Sequence, residues 1–431
     1  MGLMGRISLM SRMSLMGLMG LMGVLWLLAA CTSENVVEAG GETVSPERPE
    51  RPEVRPSVPV EGVSGVVSEY REYEPGVFSP GATRAWIPPT DYDLYPDAER
   101  SISVYFAQNP DPTPPKYYEE EYFFRSNGKW RVSKTDLEAT SPYYLYGYVP
   151  YDFYANVTAT IEKLSGDGKT YADGAVLKLQ NLPTATSDDL CVIIGAKNGK
   201  SDYKENEDYS VTGLVRGDFA YEAQPTTPGS GGTGNYVYLL LDHLYSAMRF
   251  RFRVDATYNA LRTIKLKKLQ LWTFTEPLVP GNPPVPNRLK SDVTVTLHAT
   301  ADGADPIQSI TYVSSGDAYS YGDTECIFFE SAEGLPLTDE WSASSMGHFA
   351  PEGVYRVILR STYDVYDKKG NLVRENSTAD NIIVLSEMDF LPPQTTAHRG
   401  VCYTIKLTIK PTYLYVMSDP DLDNPTVTVT K

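Results

Sequence analysis

The chain has 431 residues, with 38 Lys plus Arg against 55 Asp plus Glu, and a formal net charge of −17. Such an acidic balance excludes a nucleic-acid partner, whose phosphates need clustered basic groups to release their counterions. With 31 Tyr, 13 Phe and 5 Trp the chain can bury a sizeable core, and its length makes two domains the default expectation.

Arg6 and Arg12 are the only charges before Cys31, and Met13 to Ala30 is an uncharged, mostly apolar run. A positive start, an apolar stretch and small residues at the end predict an export signal over residues 1–30. The run is also long enough for a membrane span, which takes ~18 apolar residues. Thr32, Ser33, Glu34 and Asn35 follow it, however, and carry no basic stop-transfer cluster. Leu28-Ala29-Ala30-Cys31 resembles the lipobox of bacterial lipoproteins. That resemblance implies a lipid on the Cys31 thiol, cleavage before it, and an outer-membrane anchor held at ~0.8 kcal/mol per buried methylene.

Residues 31–84 read as a tether. Pro46, Pro49, Pro52, Pro56 and Pro59 recur almost every third residue between Glu and Arg, which predicts an extended polyproline-like spacer. From residue 85 onward, period-two alternation dominates. "SISVYFA" sets Ile102, Val104 and Phe106 on one side; "MRFRFRV" sets Met248, Phe250, Phe252 and Val254 opposite Arg249, Arg251 and Arg253; "DVTVTLH" repeats the pattern with Val293, Val295 and Leu297. Hairpin turns are expected at Asn127-Gly128 and at Gly370-Asn371. One short helix is expected over 255–263. Strands with short loops and one polar face each predict an all-β fold of two antiparallel sandwiches, 85–222 and 236–431, joined by a linker at 223–235.

Motifs that carry chemistry are scarce. Gly229, Gly231 and Gly234 match G-x-G-x-x-G, but prolines precede them and a strand-like run follows, so a dinucleotide site is not expected. His243, His298, His348 and His398 stand about fifty residues apart and never pair at ligand spacing, so no metal site and no cofactor is expected. His243 reads as a strand-end or core residue. Cys191, Cys326 and Cys402 each sit in an apolar run and read as buried free thiols. Asp419, Asp421 and Asp423 alternate as calcium ligands do, yet the glycine and glutamate of a calcium loop are missing; prolines 420 and 425 favour a structural turn. No nucleophile with its base singles itself out, so an enzyme is not expected. Tyrosines such as Tyr143, Tyr144 and Tyr146 suit either half-buried strands or a sugar-stacking surface.

Several segments in order resemble the fimbrillin family, the subunits of type V pili in Gram-negative anaerobes. They are the lipobox at Cys31, "TRAW" at 83–86, "SISVYFA", "NGKW" followed by "PYYLYGYVPYD", "VYLLLDHLYSAMRFRFRV" with "LRTIKLKKLQLWTF", and "PTYLYVMSDPDLDNPTVTV". The resemblance implies a two-domain β-sandwich of the transthyretin-like type, exported as a lipoprotein and carried on to the cell surface. It implies a cut after Arg84 by an Arg-specific protease, although Arg48, Arg51, Arg55 and Arg71 offer competing sites. The cut would remove a first strand, expected in "VEGVSGVVSEY" or "GVFSPGA", and open a groove for a strand from the C-terminal region of another subunit, such as "TVTVTK" at 426–431. Partners would be other such subunits and a host or bacterial surface ligand. Shaft, tip and anchor roles all fit. The alternative is a glycan-binding surface lipoprotein.

Overall fold

The computed structural model describes residues 58–59, 62–67, 70–76, 102–108, 120–126, 129–132, 142–150, 157–198, 216–222, 236–275, 285–300, 304–320, 326–412 and 421–430. They fall in one compact unit spanning Glu42–Lys431. Nearly every described element is a strand, as the alternation predicts.

The N-terminal segment supplies β1 (Val58–Pro59), β2 (Gly62–Val67) and β3 (Arg71–Tyr73). Next come β4 (Ile102–Gln108), β5 (Glu121–Ser126), β6 (Lys129–Val132), β7 (Tyr143–Tyr146) and β8 (Tyr148–Val149). They are followed by β9 (Thr158–Lys163), β10 (Gly174–Pro183), β11 (Ala185–Thr186), β12 (Cys191–Asn198), β13 (Ala220–Tyr221) and β14 (Tyr236–His243). Then come β15 (Ser246–Val254), helix α1 (Ala256–Leu261), β16 (Thr263–Phe274), β17 (Lys290–His298) and β18 (Ile307–Ser315). The last six are β19 (Ile327–Leu337), β20 (Ser345–Phe349), β21 (Arg356–Tyr366), β22 (Leu372–Val384), β23 (Val401–Thr412) and β24 (Asp421–Thr430).

A C-terminal sandwich packs the sheet β11-β20-β15-β23-β24 on the sheet β19-β16-β21-β22. Phe250, Phe252, Ile405, Leu407 and Ile409 from the first meet Leu266, Leu269, Leu271, Val357 and Leu359 from the second in one core. The period-two reading of β15 and β17 is realised: their arginines and threonines are half-exposed while the alternate residues are buried. Asp255 caps helix α1 by accepting from the backbone N–H groups of Thr257 and Tyr258 at 3.0 and 3.3 Å. The β21–β22 turn places Gly370 at φ +88°, where glycine is at ease, and Asp367 accepts from the Lys369 and Asn371 N–H groups.

Three further sheets build the other half: β1-β6-β5-β4-β7-β13, β2-β14-β12-β8 and β18-β17-β10-β9. Ile102, Val104 and Phe106 join one core with Ile193, Leu239 and Leu241, as their alternation predicts. Tyr105 and Ala107, on the opposite face of β4, are equally buried in a second core with Leu177, Val293 and Val295. β4 and β12 thus bury both faces, so neither shows the polar side expected of a single sandwich. β10 pairs with β17, and β12 with β14, so strands on either side of the expected 223–235 linker share sheets. The linker itself lies outside the described residues. Two local expectations are corrected. The end of the Pro-rich stretch forms β1, with Val58 opposite Val132. β24 begins at Asp421, inside the stretch read as a turn, although its register with β23 breaks between Asp421, opposite Thr412, and Pro425, opposite Pro411, before Thr426, Val427, Thr428 and Val429 pair regularly.

Candidate functional site: the sheet edges covered by the N-terminal segment

The feature that stands out is a strap of chain, described over residues 62–67 and 70–76, laid over two sheet edges. β2 is the outermost strand of its sheet and runs parallel to β14, from Gly62 opposite Tyr236 to Val67 opposite Leu241. Three residues later β3 runs parallel to β23, with Arg71, Glu72 and Tyr73 opposite Val401, Cys402 and Tyr403. β24 takes the same side of β23 farther along, from Lys406 to Thr412, in antiparallel register. Backbone bonds from Arg71 N–H to Gly400 O (2.9 Å) and from Gly76 N–H to Asp389 O (2.8 Å) tie down the start of β3 and the turn that follows it.

Side chains add to this hold. Tyr73 is buried in the C-terminal core, with its ring 5.9 Å from that of Tyr403 and edge-on to Phe390 at 6.3 Å. Outside the sheet, Arg249 grips Glu72 through both Nη atoms, at 3.1 and 3.3 Å, and Lys406 pairs with Glu74. Arg249 is one of the outward residues of the "MRFRFRV" alternation, so the polar face of β15 is what receives the strap's charge.

Tyr70 points to the other side. Its ring stacks on His243 at 3.7 Å, tilted 20°, and lies 6.1 Å from His348. Its hydroxyl donates to Asp189 Oδ1 at 2.7 Å. Asp189 also meets His243 Nδ1 at 2.9 Å, and Cys191 Sγ lies 3.6 Å from that same nitrogen. Burial alone would raise the Asp189 carboxyl, but the His243 imidazole, His348 and the Tyr70 hydroxyl hold it well below the usual carboxylate range. Burial and the carboxylates of Asp189 and Asp242 push the Cys191 thiol up. Because Cys191 and Asp189 both approach Nδ1, the imidazole cannot take a proton from one through one nitrogen while the other orients it through the second. The cluster is therefore not a nucleophile–base–acid relay. Beside it, buried Asp242 pairs with Arg399 at 2.9 Å and Arg216 at 3.5 Å, and both arginines also face Asp305.

Sequence reading missed this cluster. Asp189 and Cys191 are one residue apart, but His243 reaches them only because β14 pairs with β12 and sets it directly opposite Cys191. The one available signal was the Asp-x-Cys spacing before a strand. His243 is a buried strand-end residue, as expected, and Cys191, Cys326 and Cys402 are buried free thiols. Cys31, Arg84 and Asp419 lie outside the described residues. Asp423 is exposed and pairs with Arg262 at 2.8 Å. Tyr143 and Tyr146 are buried, at 2% and 0% exposure, and belong to the cores; Tyr144 is half-buried.

No family model matches the chain, and no curated protein matches it. Solved structures similar to it include fimbrial and cell-adhesion proteins and one described as a polysaccharide-binding protein from Bacteroides thetaiotaomicron. A fimbrial protein from Bacteroides vulgatus is 14% identical, with 79% of this chain and 94% of that one covered at a TM-score of 0.31. A candidate cell-adhesion protein from Bacteroides fragilis is 10% identical, covering 86% and 97% at 0.33. The fimbrial anchor protein Mfa2 from Porphyromonas gingivalis is 10% identical, covering 85% and 96% at 0.20.

Proposed function

We propose that the chain is a structural subunit of a cell-surface pilus of the fimbrillin type, exported with a lipid on Cys31, cut after Arg84, and joined to its neighbours by strand exchange. The observation that carries this reading is the position of the strap. β2 and β3 both precede Arg84 in the chain, and both cover edges of sheets whose remaining strands follow it. A cut after Arg84 leaves them held by non-covalent contacts alone. Their departure bares β14 from Tyr236 to Leu241 and β23 from Val401 to Tyr403, and a bared edge accepts a foreign strand through its backbone groups.

The strap does not leave unaided. Each backbone bond contributes about 1 kcal/mol net and the buried Tyr73 ring about 3–5 kcal/mol, so an incoming strand must replace these contacts as it displaces them. The expected donor, the C-terminal segment, is occupied in the free chain. β24 pairs with β23, Val427 is buried in the core, and Asn381 Nδ2 donates to Val427 O at 2.8 Å. Donation therefore requires β24 to detach from its own sheet. Partners on this reading are further subunits and the outer membrane through the lipid. Glycan capture through Tyr143, Tyr144 and Tyr146 loses its surface, because two of the three rings lie in the core.

Intact mass and N-terminal sequencing of the protein from its native envelope test the proposal. An N-terminus at Ala85 without lipid supports cutting and exchange. An acylated Cys31 still joined to the whole chain in assembled pili overturns both and leaves an anchored, unexchanged lipoprotein.

A further inference from the structure

We infer that Asp189, Cys191 and His243 form a binding site for a zinc-like divalent transition metal, set beneath Tyr70 of the strap. Their ligand atoms, a carboxylate oxygen, a thiol sulfur and an imidazole nitrogen, all lie within 4.8 Å of one another. The donor set is that of zinc: sulfur and nitrogen suit a borderline-soft ion and exclude calcium or magnesium, which take oxygen.

The spacing fits coordination. A tetrahedral zinc with bonds of ~2.3 Å to sulfur and ~2.05 Å to nitrogen holds those two atoms ~3.5 Å apart. Cys191 Sγ and His243 Nδ1 are 3.6 Å apart already. The Asp189 oxygens stand 2.9 to 3.0 Å from Nδ1, a hydrogen-bond distance, and must withdraw by only a few tenths of an ångström to reach the ~3.3 Å of a shared metal. The two ligands from β12 and β14 are direct cross-strand partners, so the sheet fixes their separation before any ion arrives. Asp189 keeps 25% of its side chain exposed, which gives an ion a way in, whereas His243 is closed off at 2%. The Tyr70 hydroxyl, already on Asp189, offers an oxygen for the fourth position.

Binding moves protons in a defined way. His243 must present its Nδ1 lone pair, so its proton sits on Nε2. The Cys191 thiol gives its proton to solvent as the sulfur–metal bond forms. Metal at this point also takes up the carboxylate that Tyr70 bonds, which links occupancy to the seating of the strap. The metal site itself does not depend on the pilus reading.

The test is a cobalt titration of the full chain, purified in detergent under reducing, chelator-free conditions. The expected result is a thiolate-to-cobalt charge-transfer band in the near ultraviolet that saturates at equimolar metal and is bleached by zinc. Cys191→Ser should abolish the band, and His243→Gln should shift its saturation to a large excess of metal, both with the circular dichroism of the parent. A parent chain with no band under excess cobalt overturns the site. So does a band that survives in folded Cys191→Ser, since Cys326 or Cys402 would then be the ligand.

Discussion

Truncating Tyr73 to alanine tests whether the strap is held as a separable element. The ring is buried at 5% exposure between Tyr403 and Phe390, so its removal forfeits the apolar burial and leaves a cavity. Large-to-small changes of this size cost about 3–5 kcal/mol. At 1.4 kcal/mol per decade, the equilibrium for strap opening rises by about two to three and a half orders of magnitude. Hydrogen exchange read by mass spectrometry on the full chain reports this directly, through peptides covering 62–76 and the two edges beneath. In the parent, the strap amides should exchange faster than those of β21 and β22, because regions with fewer buried contacts open first. In Tyr73→Ala, exchange in 62–76, 236–241 and 401–403 should accelerate by that factor. Tyr70→Phe, which removes one hydrogen bond to a carboxylate worth about 1.5–3 kcal/mol, should give a smaller step in the same peptides. If parent strap amides exchange no faster than those of β21 and β22, or if Tyr73→Ala leaves them unmoved, the strap is not a separable element and the reasoning fails.

Three other predictions rest on different contacts. Asp189 has a folded-state pKa below its unfolded value of ~3.9, so its contribution to stability is present above that pH and is lost as pH falls. Denaturant midpoints between about pH 5 and pH 2 should therefore drop less steeply in Asp189→Asn than in the parent; equal slopes would show that the carboxylate is not held by its neighbours. Asp242→Asn leaves Arg216 and Arg399 facing no buried carboxylate and should cost about 3–5 kcal/mol by chemical denaturation. Asp305→Asn, at an exposed carboxylate, should cost about 0–1 kcal/mol, and similar losses for the two would refute the ranking. Gly174→Ala places a Cβ 2.1 Å from Leu297 O at φ +140°, so it should lower stability by at least about 2 kcal/mol and open the β10–β17 pairing; an unchanged midpoint would contradict this.

How much of this was legible varies with the range of the interaction. β15, β17 and α1 could be read because their cues are local: alternation against a single core, and an aspartate cap. β4 could be half read. Ile102, Val104 and Phe106 carry the pattern, but the burial of Tyr105 and Ala107 depends on a second core made by strands far along the chain. The Asp189–Cys191–His243 cluster was invisible for the same reason, since residues 52 positions apart meet only through strand register. Of the two segments in which the resemblance implies a first strand, "VEGVSGVVSEY" contains β2, while its parallel partner, β14, follows from nothing nearby in the sequence. The 223–235 break was legible as composition alone. Composition does not reveal that strands on either side of such a break share sheets.

β2 and β3 are joined by only three residues, 68–70, yet they rest on different sheets. The strap is thus a bivalent ligand of its own body. Each half holds the other at an effective concentration in the millimolar range, as short connections do. Cleavage after Arg84 alters neither the two attachments nor the short join between them. A free competitor that fills one edge at micromolar concentration therefore loses to the resident pair by about a thousandfold. Only an occupant that engages both edges, or that invades one while the other is momentarily loose, meets the strap on equal terms. Brief loosening is then a step in replacement, and it favours occupants delivered in place over those diffusing freely.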